Sequence, residues 1–81
     1  MKHAGQGALD QLEPLLQELR ATAGVVEKKP GVFYRKSKAL LHFHEDPSGL
    51  YADVRVGAAF ERRRVETPEE RAALLALVRS G

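Results

Sequence analysis

The chain contains no cysteine. This absence excludes disulfide bonds and thiolate metal sites, and it fits the reducing cytoplasm, where we expect the protein to be. No apolar run approaches the roughly 20 residues that a membrane span needs. The first residues also lack the continuous apolar segment of a signal peptide. We therefore expect no association with a membrane.

Motifs for several kinds of catalysis are missing as well. The sequence has no glycine-rich phosphate loop, no serine placed beside a base and no paired acids in a predicted pocket. The serines, Ser37, Ser48 and Ser80, lie in predicted turns or near the end of the chain. These absences favour a non-enzymatic protein, and nothing in the sequence implies a cofactor.

The composition suits one small domain spanning residues 1–81, with 43% hydrophobic and 30% charged residues. The formal net charge is only +2, from 13 Lys and Arg against 11 Asp and Glu. A phosphate-binding surface would therefore need local clustering of cations. Residues 1–8 are small and polar, so we expect them to be flexible.

Apolar and polar residues alternate on both sides of the segment Asp46-Pro47-Ser48-Gly49, which has the residue order of a type I turn. This pattern predicts a β-hairpin over residues 39–56. If Glu45 pairs with Leu50, one face carries the apolar residues Ala39, Leu41, Phe43, Ala52, Val54 and Val56. The other face then carries Leu40, His42, His44, Tyr51, Asp53 and Arg55. A slip of one residue would bury His42 and Asp53 among the core residues, so the pattern favours this register.

Two further strands and two helices are predicted around this hairpin. Residues 32–35 are predicted to form a strand that a three-residue turn, 36–38, joins to the hairpin, pairing Phe33 with Leu41 and Tyr34 with Leu40. Residues 25–29 suit a short extended segment, and residues 60–66 suit a fourth strand at an edge or with a bulge.

An apolar repeat at spacings of three and four predicts a first helix that begins within residues 10–14 and ends at Gly24. Thr67-Pro68-Glu69-Glu70 is typical of a capping box and predicts a second helix to about Arg79. We therefore predict an α+β fold: a helix, a four-stranded antiparallel meander and a helix, with both helices on one face of the sheet.

Residues 31–79 resemble a group of small bacterial proteins with no established activity. The shared pattern is an aromatic strand (Phe33-Tyr34), the segment Leu41-His42-Phe43-His44, a Pro/Gly turn, and a strand of the form L-x-A-D-V. The resemblance implies one compact domain built around the sheet, and it assigns no residue a catalytic role.

The predicted hairpin places two imidazoles on one strand face, His42 and His44, about 6–7 Å apart. Two histidines at this spacing can share a metal ion, and Asp53 opposite His42 could add an oxygen ligand or orient its ring. The only other histidine, His3, falls in the segment expected to be flexible. The simpler alternative is a cross-strand ion pair between His42 and Asp53 on a solvated face.

The same outer face carries candidate residues for binding a macromolecule. Its aromatic and apolar character indicates a protein partner or a homodimer; the candidate residues are Tyr34, Leu40, His42, His44, Tyr51, Asp53 and Arg55. Basic residues near the two tyrosines indicate nucleic-acid binding as an alternative; the candidate residues are Arg35, Lys36, Lys38, Arg62 and Arg64. The sequence thus favours a small binding module, with nucleic-acid binding and a metal or acid–base site as alternatives.

Overall fold

A six-stranded antiparallel sheet and three helices make up the fold, which a computed structural model describes over residues 1–80. The elements follow in the order β1 (Lys2–His3), α1 (Gln6–Gln11), α2 (Glu13–Arg20), β2 (Val25–Lys29), β3 (Val32–Arg35), β4 (Lys38–Asp46), β5 (Gly49–Val56), β6 (Ala59–Arg64) and α3 (Pro68–Ser80). The predicted α+β class is confirmed, whereas the predicted four strands and two helices are too few. None of the helices within residues 1–80 is long and apolar enough to cross a membrane.

The sheet is a meander in the order β2-β3-β4-β5-β6, and β1 pairs with β4 outside that path. Strand β1 pairs with His44 and Glu45 of β4. Strand β5 pairs with the same two residues along the other edge of β4. Strand β1 therefore continues the edge of β4 along which β3 lies. The expectation of a flexible segment over residues 1–8 differs from this structure, in which the same residues contribute a strand and the start of α1.

The pairing of β4 with β5 confirms the predicted register. Leu41, Phe43 and Glu45 lie opposite Val54, Ala52 and Leu50, and from Leu41 onward the two faces alternate as predicted. The inward residues of this hairpin belong to one buried cluster that also contains the apolar residues of the helices. The helices therefore cover one face of the sheet and leave the other face free of helices.

The first hairpin follows a different register from the predicted one. Phe33 pairs with Leu41 as predicted, but Tyr34 pairs with Ala39, and a bulge between these pairs leaves Leu40 without a partner. The turn has two residues, Lys36 and Ser37, both at positive φ, in place of the predicted three. Because of the bulge, Leu40 is buried in the core together with Leu41. Its predicted position on the outer face is wrong. The prediction that Ala39 lies on the core face is wrong for the same reason, because Ala39 pairs with Tyr34 and lines the helix-free face.

The predicted first helix is divided into α1 and α2, with Leu12 between them. Pro14 lies in the first turn of α2, because proline cannot donate the backbone hydrogen bond that a continuous helix needs there. Helix α2 ends at Arg20, four residues before the predicted stop at Gly24.

Helix α3 begins with the predicted capping box. The backbone N–H of Glu70 donates to the Thr67 hydroxyl (3.1 Å), and the backbone N–H of Thr67 donates to the Glu70 carboxylate (3.0 Å). Strand β6 ends the sheet order, which confirms the predicted edge position. Phe60 lies opposite Arg55 on the helix-free face, whereas Val65, just after the strand, is buried in the core.

Candidate metal centre

Three imidazoles meet on the helix-free face of the sheet. His42 and His44 project from β4, and His3 lies opposite His44 in the pairing of β1 with β4. The ring centroids are 4.8 Å apart for His3 and His44, 4.8 Å for His42 and His44, and 5.7 Å for His3 and His42. One ring nitrogen from each histidine lies within 4.8 Å of the other two. All three histidines of the chain therefore belong to one cluster.

His3 reaches this cluster because Glu45 and Phe43 hold the first residues against β4. The backbone N–H of Ala4 donates to the Phe43 carbonyl (3.0 Å), and that of Gly5 donates to the Glu45 carboxylate. Lys2 Nζ lies 4.0 Å from the same carboxylate. The two-residue strand β1 is thus fixed at both ends by groups of β4.

His44 is the most enclosed of the three histidines, with 8% of the residue exposed. Its Nε2 lies 2.7 Å from His42 Nδ1 and 3.2 Å from Asp53 Oδ2. Its Nδ1 is buried and has no hydrogen-bond partner within residues 1–80. Nε2 is therefore the nitrogen that His44 presents to His42, and Asp53 lies beside the same nitrogen. An ion bound at Nε2 would have the Asp53 carboxylate within reach as an oxygen ligand.

Asp53 connects the histidines to β6. Arg62 binds it through two hydrogen bonds, from Nε to Oδ1 (2.8 Å) and from a terminal nitrogen to Oδ2 (2.9 Å). The hydrogen bond from the Arg62 guanidinium lowers the pKa of Asp53 below its ordinary value, so the group is a carboxylate at neutral pH. The carboxylate contacts His44 and Arg62, and not His42 as the cross-strand register predicted.

His42 is a neutral ring at neutral pH. Burial is the main cause that lowers its pKa, and the neighbouring His44 adds to the effect. The ring also packs against Phe60, with centroids 5.5 Å apart. Because only the neutral imidazole has a free lone pair, a lowered pKa favours the form that binds a metal.

Three imidazoles on two paired strands can together bind a divalent transition metal through their ring nitrogens. Zinc–imidazole bonds of about 2.0–2.1 Å place neighbouring ligand nitrogens about 3.3 Å apart in a tetrahedral site. The observed span of at most 4.8 Å requires the rings to move by about an ångström. Rotations about the side-chain bonds of His3, the most exposed of the three, allow this movement.

Sequence reasoning found two of these three histidines and missed the third. It expected His42, His44 and Asp53 to share a face, and the structure places all three there. His3 was left out because a two-residue strand has no alternating pattern that could reveal it. The signal available was compositional: once two of the three histidines are placed on one face, the third becomes a candidate ligand.

The other candidate residues of the outer face are distributed around this cluster. Tyr51 lies opposite His44, and its hydroxyl is 2.8 Å from the Ser48 hydroxyl. Arg55 donates to the Ala39 carbonyl (2.7 Å) and lies over the Phe60 ring, 4.6 Å from its centroid. Tyr34 lies farther along the face, on β3.

The basic residues predicted to bind nucleic acid do not form one track. Arg62 and Arg64 are engaged by acids, Asp53 and Glu70. Arg35 points to the helices and donates to the Val78 carbonyl (2.7 Å). A shallow concavity of about 290 Å³ at the first hairpin gathers the remaining cations; they are Lys36 and Lys38, with Arg35 and Arg55 at its wall. Nucleic-acid binding stays a prediction.

Comparison of the chain with protein-family models, with curated proteins and with solved structures finds no match. The resemblance of residues 31–79 to small bacterial proteins also stays a prediction. The function must therefore be inferred from the site itself.

Proposed function

We propose that the protein is a small metal-binding module in which His3, His42 and His44 bind one divalent transition metal ion. The observation that supports this proposal is the convergence of all three histidines of the chain, from two strands, within 4.8 Å. Zinc is the preferred ion, because it accepts three imidazoles in a tetrahedral site and leaves a fourth position for water or a ligand.

The surroundings of the histidines support this proposal in two ways. Asp53 Oδ2 lies 3.2 Å from His44 Nε2 and would place a negative charge beside an ion bound there. Arg62 neutralises part of that charge and fixes the carboxylate, so Asp53 is held in place before any ion binds.

The test is a titration of the protein without an affinity tag, after chelator treatment, with Zn²⁺ by calorimetry and with Co²⁺ by visible absorption. We expect one ion per chain, and we expect His3→Ala and His42→Ala each to weaken binding at least about tenfold. Lys2→Ala is the matched control, since it alters β1 without removing a ligand.

Binding that His3→Ala leaves unchanged would show that β1 takes no part in the site, and the three-histidine proposal would be wrong. Binding of equal strength in all variants would identify the ion as bound to surface carboxylates. Circular dichroism of each variant shows whether the sheet is intact.

Self-association through the helix-free face is the second candidate function. Two large apolar side chains on this face are exposed, Val26 (55%) and Phe60 (41%), and they lie on the two edge strands of the sheet. We propose that a second copy of the chain covers this face as a symmetric dimer, because the exposed side chains extend across its whole width.

Light scattering after gel filtration tests the dimer. Phe60→Glu introduces a charge on the helix-free face, whereas Ala59→Glu introduces the same charge at the neighbouring exposed position, on the opposite side of β6. Phe60→Glu should give a monomer and Ala59→Glu should leave a dimer. A monomeric wild-type protein at high concentration, with and without Zn²⁺, would exclude this candidate.

A further inference from the structure

On the basis of the proposed metal site, we infer that the adjoining groove binds a small organic carboxylate whose charged end coordinates the metal. The groove has a volume of about 480 Å³, within the range of sites for small molecules. His3 and His42 line the groove together with residues of the β2–β3 hairpin. An ion held by the histidines would therefore lie at the wall of the groove, within reach of a ligand bound in it.

The charge of the groove selects an anion. Lys28 and Lys29 line it, and no acidic residue among those the structure describes does so. The nearest carboxylate of the site, Asp53, is already bound by Arg62. A divalent ion on three neutral imidazoles would add two further positive charges, so the groove would have a positive potential along its length.

The remaining walls select an organic anion over an inorganic one. Pro30, Val32 and Tyr34 give the groove an apolar side, and Ala39 lies opposite Tyr34 in the pairing of β3 with β4. Lys28 Nζ lies 4.7 Å from the centroid of the Tyr34 ring, so the ammonium group makes a cation–π contact with the ring. A carboxylate attached to an aromatic or branched aliphatic group fits this combination, with its oxygens on the metal and its hydrocarbon part against Pro30, Val32 and Tyr34.

The experiment uses the full chain loaded with Co²⁺, whose visible spectrum changes when a ligand enters its coordination sphere. Benzoate, acetate and benzyl alcohol are titrated separately. Benzoate should change the spectrum and bind at least about tenfold more tightly than acetate, because of its apolar ring. Benzyl alcohol, which lacks the charge, should leave the spectrum unchanged.

Lys28→Gln tests the groove apart from the ion. The substitution should weaken benzoate binding severalfold and leave the affinity for Co²⁺ within about threefold of wild type. Lys28→Arg, which keeps the charge, should bind benzoate nearly as well as the wild type. Equal weakening of benzoate by both variants would show that the charge is not what recognises the anion.

The order of the titrations separates failure of this inference from failure of the proposed function. If Co²⁺ does not bind before any carboxylate is added, the metal site is wrong and the inference falls with it. If Co²⁺ binds and benzoate leaves its spectrum unchanged, the metal site stands and the groove is not its ligand site. Acetate binding as tightly as benzoate would also overturn the inference, because the apolar wall would then contribute nothing.

Discussion

The ring of His3 stacks on the ring of His44, with an interplanar angle of 30°, although the two residues lie in different parts of the sequence. This contact exists only because β1 adds two residues to an edge of β4 that β3 leaves free. Two of the three proposed ligands belong to the centre of the sheet, and the third belongs to its smallest strand. Metal binding and the docking of β1 are therefore expected to stabilise each other.

Zn²⁺ should slow hydrogen exchange at the backbone amide of Ala4, which donates to the Phe43 carbonyl. An ion at 100 times its dissociation constant stabilises the state that binds it by about 2.7 kcal/mol, and undocking of β1 removes one ligand of three. We expect a slowing of about tenfold or more, measured by NMR exchange. In His42→Ala, which keeps the strand pairing, the slowing should be lost. Equal protection with and without Zn²⁺ in the wild type would contradict the coupling.

Asp53→Asn should weaken Zn²⁺ binding about 10- to 100-fold, because the substitution removes the charge that accompanies the His44 ring. Arg62→Gln is the matched comparison, since it removes the guanidinium that fixes Asp53 and keeps the carboxylate. Arg62→Gln should weaken binding less than Asp53→Asn does, because the negative charge beside the site remains. Calorimetric titration of both variants checks this prediction, and an unchanged affinity in Asp53→Asn would show that the carboxylate does not support the site.

The β4–β5 hairpin could be predicted from sequence because its two strands alternate and its turn has an unambiguous residue order. A shift of one residue would bury a histidine and an aspartate, so the hydrophobic pattern specifies the pairing of His42 with Asp53. The capping box at Thr67 was predictable for a similar reason, because its residue types interact locally.

The first hairpin could not be predicted to the same degree. Its turn places Lys36 and Ser37 at positive φ, a conformation that neither residue type indicates. The shorter turn requires a bulge, and the bulge moves Leu40 into the core. The site predicted from sequence lacked His3 for a different reason. Strand β1 is held by contacts of Lys2 and Gly5 with Glu45, a residue that lies far from them in the sequence.

Glu27 provides a prediction about pH. Its carboxylate accepts hydrogen bonds from Arg20 Nε (2.6 Å) and from the backbone N–H of Gly31 (3.0 Å), so it ties α2 to the β2–β3 turn. The hydrogen bond from Arg20 lowers the pKa of Glu27 below its ordinary value of 4.5. The Glu27 carboxylate thus binds a proton less readily in the folded protein than in the unfolded chain. The stabilisation of the fold by ionised Glu27 is present above pH 4.5 and is lost as the pH falls through the pKa of Glu27 in the folded protein.

Glu27→Gln should therefore lower the free energy of unfolding by about 1–2 kcal/mol at pH 7, and the difference from wild type should shrink at pH 3. Urea unfolding at both pH values measures it. Glu61→Gln is the control, because Glu61 pairs with Arg63 on the surface, where both side chains are 47% exposed. The control should cost about 0.5 kcal/mol or less. A Glu27→Gln deficit that is equal at pH 3 and pH 7 would show that ionisation is not involved.

Ser37→Gly should stabilise the protein, because Ser37 adopts a φ of +67° in the two-residue turn between β3 and β4. A side chain in this left-handed conformation costs about 1 kcal/mol that glycine avoids, although glycine also raises the entropy of the unfolded chain. We expect a net gain of about 0.5 kcal/mol in the free energy of unfolding. Ser37→Ala separates the backbone effect from the loss of the hydroxyl, and it should be neutral or destabilising. Urea unfolding of the three proteins at pH 7 measures these differences. A Ser37→Gly variant less stable than Ser37→Ala would mean that Ser37 does not adopt the positive φ in this turn. The bulge that buries Leu40 would then need another cause.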